Sequence, residues 1–269
     1  QLTYEDSDKE YQLKFDHSIQ KQTNHLLNVI KSSNEVGNKM IGCAAIILTG
    51  LAYRDNENYL GNGVNLLKKI IKSSIDNQGF PKSRSIKQLS FYLKYFIIIR
   101  EWFKESQNTV PEYIDETIYY LGLSYAFIWQ NINQDILFNG NYISNNNEFD
   151  QYLNRFGYKF KNENKELAGY VILRNKKIVL AMDIGASPNT NFSKDYQSGA
   201  LSFEVISNGK KLISNSGYFA NKHNKLNKIS KSTALQSTLT IEDYSSCNLK
   251  KIGKSDFFVD QGLKITKKN

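Results

Sequence analysis

The sequence predicts an α+β protein, with a helical part over residues 1–150 followed by an antiparallel sheet over 151–269. Three observations carry this. Apolar residues recur at helical spacing as far as about residue 130. From about residue 155 the period shortens to two. Between two alternating runs sits Asn208-Gly209, the dipeptide preferred where both central residues of a tight hairpin turn need positive φ. Runs of helices followed by runs of strands argue for α+β or for two domains.

The elements follow in order. A weak helical pattern covers 18–33. Over 40–52, Ile41, Ala44, Ala45, Leu48, Leu51 and Ala52 share one face. Leu60, Val64, Leu67 and Ile71 align in a helix over 60–76. A third strong helix is predicted over 85–105 with Ser85 as N-cap. A fourth covers 110–132, where Pro111 suits the first turn and Ile114, Ile118, Leu121, Tyr125 and Ile128 form the stripe. Short connections suggest stacked antiparallel hairpins. Residues 145–165 read as a bridge. Over 168–185 two strands flank a turn at Asn175-Lys176. In the next hairpin Leu201, Phe203 and Val205 alternate with Ser202, Glu204 and Ile206, and "LQSTLTIED" at 235–243 reads as a further strand. In that strand Leu235, Leu239 and Ile241 would face the core and Gln236 the opposite side. About six or seven strands are visible, fewer than usually cover both inner faces of a sandwich, so a fragment of a longer chain is expected.

Composition bounds the partners. The chain has 269 residues, 40% hydrophobic and 13% aromatic, enough to bury a core. A formal charge of +9 favours an anionic partner such as an acidic polysaccharide, nucleic acid or a phospholipid surface, or is only a solvated basic face. No RNA-reading aromatic signature and no zinc finger is present. Cys43 and Cys247 do not make a disulfide framework, and Cys43 lies in an apolar helical run. No signal peptide or membrane span is legible.

Two blocks carry a family resemblance: "SGALSFEVISNGKKLISNSGYF" and, after it, "SKSTALQSTLTIEDYSSC". In order and spacing they are similar to the heparinase II/III family of polysaccharide lyases. "NQGFPKSRS" resembles a G-G-x-x-S-R-N-P segment and "LFNG" an F-N-G segment of related helical domains. The resemblance implies an incomplete α/α toroid followed by an antiparallel β-sandwich. It also implies β-elimination on a uronate-containing polysaccharide, in a periplasmic or cell-envelope setting. Gln197 and Gln236 stand where the blocks have His, and Asn215 where many members have Asp. In several relatives those positions form a metal site. Neutral amides are poor zinc ligands, so no metal or other cofactor is expected here.

The candidate substrate-binding residues are therefore Gln197, Asn215, Gln236, Arg84 and Asn139, and no catalytic residue is assigned. The three amides close a shared polar cluster or are solvated strand residues. Arg84 pairs with a uronate carboxylate or caps its loop. Asn139 neutralises a carboxylate by hydrogen bonding or turns the chain at Asn139-Gly140. Tyr170 reads as structural. His17, His25 and His223 lie outside the matching blocks. Lys222, Lys225, Lys228 and Lys231 form a basic connection suited to a polyanion or to solvent. An anionic polysaccharide is the expected partner, by catalysis or, in a rival reading, by binding alone. Nucleic acid is not expected as a partner.

Overall fold

The computed structural model describes residues 8–33, 35–53, 57–130, 132, 134–143, 147–221, 223–253 and 256–264. Helices come first: α1 (Lys9–Val29), α2 (Val36–Ala52), α3 (Glu57–Ser74), α4 (Ile86–Glu105), α5 (Glu112–Trp129) and α6 (Asn147–Arg155). Strands follow: β1 (Glu166–Leu167), β2 (Tyr170–Arg174), β3 (Ile178–Asp183), β4 (Phe203–Ser207), β5 (Lys210–Ile213), β6 (Asn248–Ile252) and β7 (Asp256–Gln261), with a short helix α7 (Lys225–Ser230) between β5 and β6. The predicted order of helices then antiparallel sheet is observed. α1 begins well before the weak pattern suggested, because Asp8 caps it by accepting the Tyr11 N–H at 2.7 Å. Ser85 caps α4 as expected, its Oγ accepting the Gln88 N–H at 3.3 Å. Part of the expected bridge, 145–165, is the helix α6.

By compactness the chain divides into two units, residues 1–74 with 94–116 and residues 75–93 with 117–269. In the first, α2 and α3 cross closely. A Cβ on Gly50 would lie 2.4 Å from the Leu60 backbone nitrogen, and one on Gly63 2.6 Å from Ile47. Glycine at those two positions lets the helices approach. Ile30, Ile46 and Tyr59 are buried together beside the crossing, with Leu26, Leu27 and Leu66 against them.

In the second unit five antiparallel strands form a meander, β1-β2-β3-β4-β5, and β6 pairs with β7. Asn208 (φ 47°) and Gly209 (φ 75°) turn β4 into β5 as the dipeptide predicts. Register places Tyr170 opposite Asp183, Ile172 opposite Ala181, and Ala181 opposite Glu204. One face therefore carries Tyr170, Ile172, Ala181, Asp183, Glu204 and Ile206, all buried. That face is partly polar. In β4 the buried set is Glu204 and Ile206, whereas Leu201 just before it is exposed.

The strand expected over 235–243 does not form. Thr233–Leu235 is a turn of 3-10 helix, and beyond it only the isolated bridge Ile241–Tyr244 occurs. Side-chain hydroxyls take up the neighbouring carbonyls instead: Thr233 Oγ1 donates to Ser198 O, and Thr238 Oγ1 to Ala200 O at 2.6 Å. The expected facing inverts as well. Leu239 and Ile241 are 80% and 69% exposed, while Gln236 is buried.

Cys43 sits at the α2–α3 crossing, its Sγ donating to Gly63 O at 3.3 Å. Burial pushes its thiol from 9.0 up to about 12. The folded value exceeds the unfolded one, so this contribution to stability is complete below about pH 9 and is lost as pH rises towards 12. Denaturant titrations should show wild-type stability falling more steeply over that interval than in Cys43→Ala, and a thiol reagent at pH 8 should leave native Cys43 unlabelled.

Candidate functional site

The site is built on the polar buried face of the sheet, entirely within the second unit. Asp183 at the end of β3 is buried, and Arg84 meets it with Nη2 at 2.6 Å from Oδ1. The guanidinium also donates to Ala168 O (3.3 Å), Ala186 O (3.0 Å) and Gly169 O (3.0 Å). Gly169 and Gly185 form the slot that holds it: a Cβ on Gly185 would lie 2.4 Å from Arg84 Cζ. The Tyr170 ring lies 4.6 Å from the guanidinium carbon. Burial opposes the Arg84 charge, but the Asp183 carboxylate outweighs it and holds Arg84 above its usual range.

The loop after α5 is tied to the same face by two carboxylates. Leu137 N–H donates to Glu204 Oε2 at 3.2 Å, and Asn139 Nδ2 donates to Asp183 Oδ2 at 2.9 Å. Asn139 Nδ2 also donates to the Tyr170 hydroxyl at 2.6 Å, which itself donates to Arg84 O at 2.7 Å. Burial drives the Tyr170 phenol far upward against the pull of Arg84, so it stays protonated. Asn139 (φ 33°) and Gly140 (φ 78°) make the turn that Asn139-Gly140 implied. Glu204 is balanced by Lys211 Nζ at 3.0 Å and by the Asn215 N–H at 2.9 Å.

The three amides gather around this loop. Gln197 Oε1 accepts the Gly140 N–H at 3.2 Å, and its Nε2 donates to Gly217 O (3.1 Å) and Ser230 O (2.8 Å). Gln236 Nε2 donates to the same Ser230 carbonyl at 3.1 Å. Asn215 Oδ1 accepts the N–H of Ser237, next in sequence to Gln236, at 2.7 Å. All three are buried. Although no strand forms at 235–243, the segment docks where the third strand was expected, with Phe203 N–H donating to Ser237 O at 3.1 Å.

This cluster does not fit a zinc ion. A zinc site needs converging lone pairs. Here the Gln197 and Gln236 Nε2 groups converge as donors on a carbonyl, and the Oε1 of Gln197 and Oδ1 of Asn215 already accept backbone N–H groups. The Asn215 Nδ2, buried without a hydrogen-bond partner among the described residues, is again a donor.

A second polar group escaped sequence reasoning. Tyr218 donates its hydroxyl to Asp195 Oδ1 at 3.0 Å, accepts from Asn227 Nδ2 at 3.2 Å, and is only partly buried. Gln88 Nε2 reaches the other Asp195 oxygen at 3.4 Å, and a Cβ on Gly140 would meet Ser85 Oγ at 2.7 Å and Asp195 Cβ at 3.0 Å. Burial first, then the Asp195 charge, raises the Tyr218 phenol, so it is a proton donor at neutral pH. The Asp195–Tyr218 pairing spans 23 positions and leaves no local pattern. Glu204 also escaped sequence reasoning: the alternation puts Glu204 in step with Ile206 but opposite the more apolar set Leu201, Phe203 and Val205, so the pattern does not mark it as buried.

The basic connection also changes meaning. Lys222 lies outside the described residues. Lys225 and Lys228 are exposed, but Lys231 is 1% exposed and donates to Phe257 O at 3.0 Å and to Lys194 O. It is a packing element of the unit, not a charge offered to a polyanion. His17, His25 and His223 are exposed.

The fold and site define a class first: a helical part leading into an antiparallel sheet whose buried polar face anchors the loop at 137–140. Residues 164–268 match the family Heparinase II/III-like, C-terminal. The fold is that of the heparan sulfate lyase HepC from Pedobacter heparinus (TM-score 0.67, 16% identity, covering 93% of this chain and 45% of that one). It is likewise that of a heparinase III, the BT4657 gene product (0.69, 16%, 84% and 39%), and of a further heparinase III (0.65, 16%, 88% and 44%). The chain spans less than half the length of these structures. No curated protein matches.

Two stability outcomes follow. Arg84→Met leaves the Asp183 carboxylate buried without its cation and should cost about 3–5 kcal/mol in denaturant unfolding. Arg84→Lys should recover little of it, because one ammonium cannot span three carbonyls and a carboxylate. Gln236→Ala removes one of two donors from each of the Ser230 and Ser232 carbonyls, which keep Gln197 Nε2 and the Leu235 N–H, and should cost about 0.5–1.5 kcal/mol, read as a lowered melting temperature.

Proposed function

We propose that the protein is a heparinase II/III-type polysaccharide lyase that cleaves an anionic, uronate-containing polysaccharide by β-elimination. The observation that carries this reading is the family match over 164–268 on the fold of a heparan sulfate lyase. In the reaction a base removes the proton beside the uronate carboxylate. A carbon–carbon double bond forms, the bond to the glycosidic oxygen breaks, and that oxygen leaves with a proton.

Tyr218 is suited to the last step, being protonated, partly accessible and oriented by Asp195 and Asn227. In this reading Arg84, Asn139, Gln197, Asn215 and Gln236 act behind the substrate. Each makes hydrogen bonds within the protein, and together they hold the 137–140 loop and the 195–197 segment in place. The complete toroid and sandwich, and a periplasmic or cell-envelope location, belong to the same proposal. Among the described residues no helix is long and apolar enough to cross a membrane.

A second reading is glycan binding without cleavage. It is favoured by one observation: amides, Gln197 and Gln236, occupy the two positions where the family blocks carry histidine. Incubation with uronate polymers separates the two. Cleavage should raise the ultraviolet absorbance of unsaturated uronate, and Tyr218→Phe should lower the rate about 100-fold or more with little change in KM. Binding without any absorbance rise would leave the second reading.

A further inference from the structure

In the first unit a groove of about 720 Å³ opens along α1, α2 and α3. Its floor is apolar: Leu27 and Ile30 from the end of α1, and Leu66 and Ile70 from α3. Along α3, Asn62, Asn65, Leu66, Lys69, Ile70 and Ser73 all line it, at offsets of 3, 4, 7, 8 and 11 from the first. That is one helix face, with polar residues on its rim and apolar ones at its base. Four lysines surround it: Lys31, Lys39, Lys68 and Lys69. No lining residue is acidic, and none of these lysines forms an ion pair among the described residues. Lys68 Nζ lies 5.1 Å from the centre of the Tyr113 ring, which holds its stem beside the rim.

We propose that this groove is a polyanion-binding subsite, and that its occupant is a stretch of acidic polysaccharide. Its lining shares no residue with the polar cluster of the sheet, and the identity of its occupant rests on the glycan reading above. Three features favour a sugar chain. Four cations without counter-charges raise the local potential and attract carboxylates or sulfates. Lysine is a compact charge on a flexible stem, so it follows irregularly spaced anionic groups. Asn62, Asn65 and Ser73 offer hydrogen bonds to hydroxyls, and the aliphatic floor accepts the C–H face of a sugar ring. The other polyanions fit less well. Single-stranded nucleic acid is held by stacking bases on aromatic rings, and no aromatic residue lines the groove. A membrane-surface helix presents a projecting apolar face, whereas Ile30 and Ile70 here are buried in a recess.

The test uses the full chain and three probes: a heparan sulfate oligosaccharide, a neutral glucan of equal length, and double-stranded DNA of equal charge. The variant Lys39→Gln, Lys68→Gln, Lys69→Gln changes exposed or half-exposed side chains on the rim. It should weaken binding of the heparan sulfate oligosaccharide about tenfold or more. It should also flatten the dependence of log K on log salt by up to about one unit per lysine, with an unchanged melting temperature. Asn62→Asp, which adds a negative charge to the rim, should weaken binding in the same direction. Wild-type affinity in both variants overturns the subsite while leaving the lyase reading intact. DNA bound as tightly as the oligosaccharide, and lost with it in the variants, overturns the choice of occupant. No binding of the wild type to any acidic glycan overturns both this inference and the reading on which it rests.

Discussion

The ion pair between Arg84 and Asp183 is the interaction on which the sheet unit depends. An isolated carboxylate on the buried face of β3 would cost several kcal/mol after relaxation. The guanidinium offsets that cost by its geometry as much as by its charge. Its fork reaches Asp183 and the carbonyls of Ala168, Gly169 and Ala186 together, which ties the loop before α4 to the ends of β2 and β3. Only glycine at 169 and 185 leaves room for it. Arg84 itself takes a left-handed backbone conformation (φ 58°), a local strain that the surrounding hydrogen bonds hold in place.

From that pair the polar lattice extends outward by shared atoms. Asp183 passes to Asn139, Asn139 to Tyr170, and Gly140 to Gln197; Gln197 and Gln236 then meet at the Ser230 carbonyl. Glu204 supports the other end through Leu137, Lys211 and Asn215. The result is a rigid base with its donors and acceptors largely matched. In such a base an amide does the work of a structural ligand by donating and accepting at once, without a metal. At the edge of that base the half-buried Tyr218 meets Asp195 beside Gly140.

The helical unit follows different physics. Its stability comes from close helix crossing at Gly50 and Gly63 and from aliphatic packing around Ile30, Ile46 and Tyr59. Four of its lysines border an apolar recess.

The sequence by itself determined the four strong helices between 40 and 132, their order before the strands, the Ser85 cap and the Asn208-Gly209 hairpin. Each rests on contacts within a few residues, which periodicity and turn chemistry report directly. It also named Gln197, Asn215, Gln236, Arg84 and Asn139, through motif position. What those residues touch was decided only by the tertiary structure. Arg84 and Asp183 are 99 positions apart, and Asp195 and Tyr218 are 23 apart. No local pattern encodes such pairings. The run at 232–241 shows the same limit from the other side. Its alternation promised a strand with an apolar inner face. Once folded, Gln236, Thr233 and Thr238 find buried carbonyls on neighbouring loops, and satisfying those groups outweighs the burial of Leu239 and Ile241.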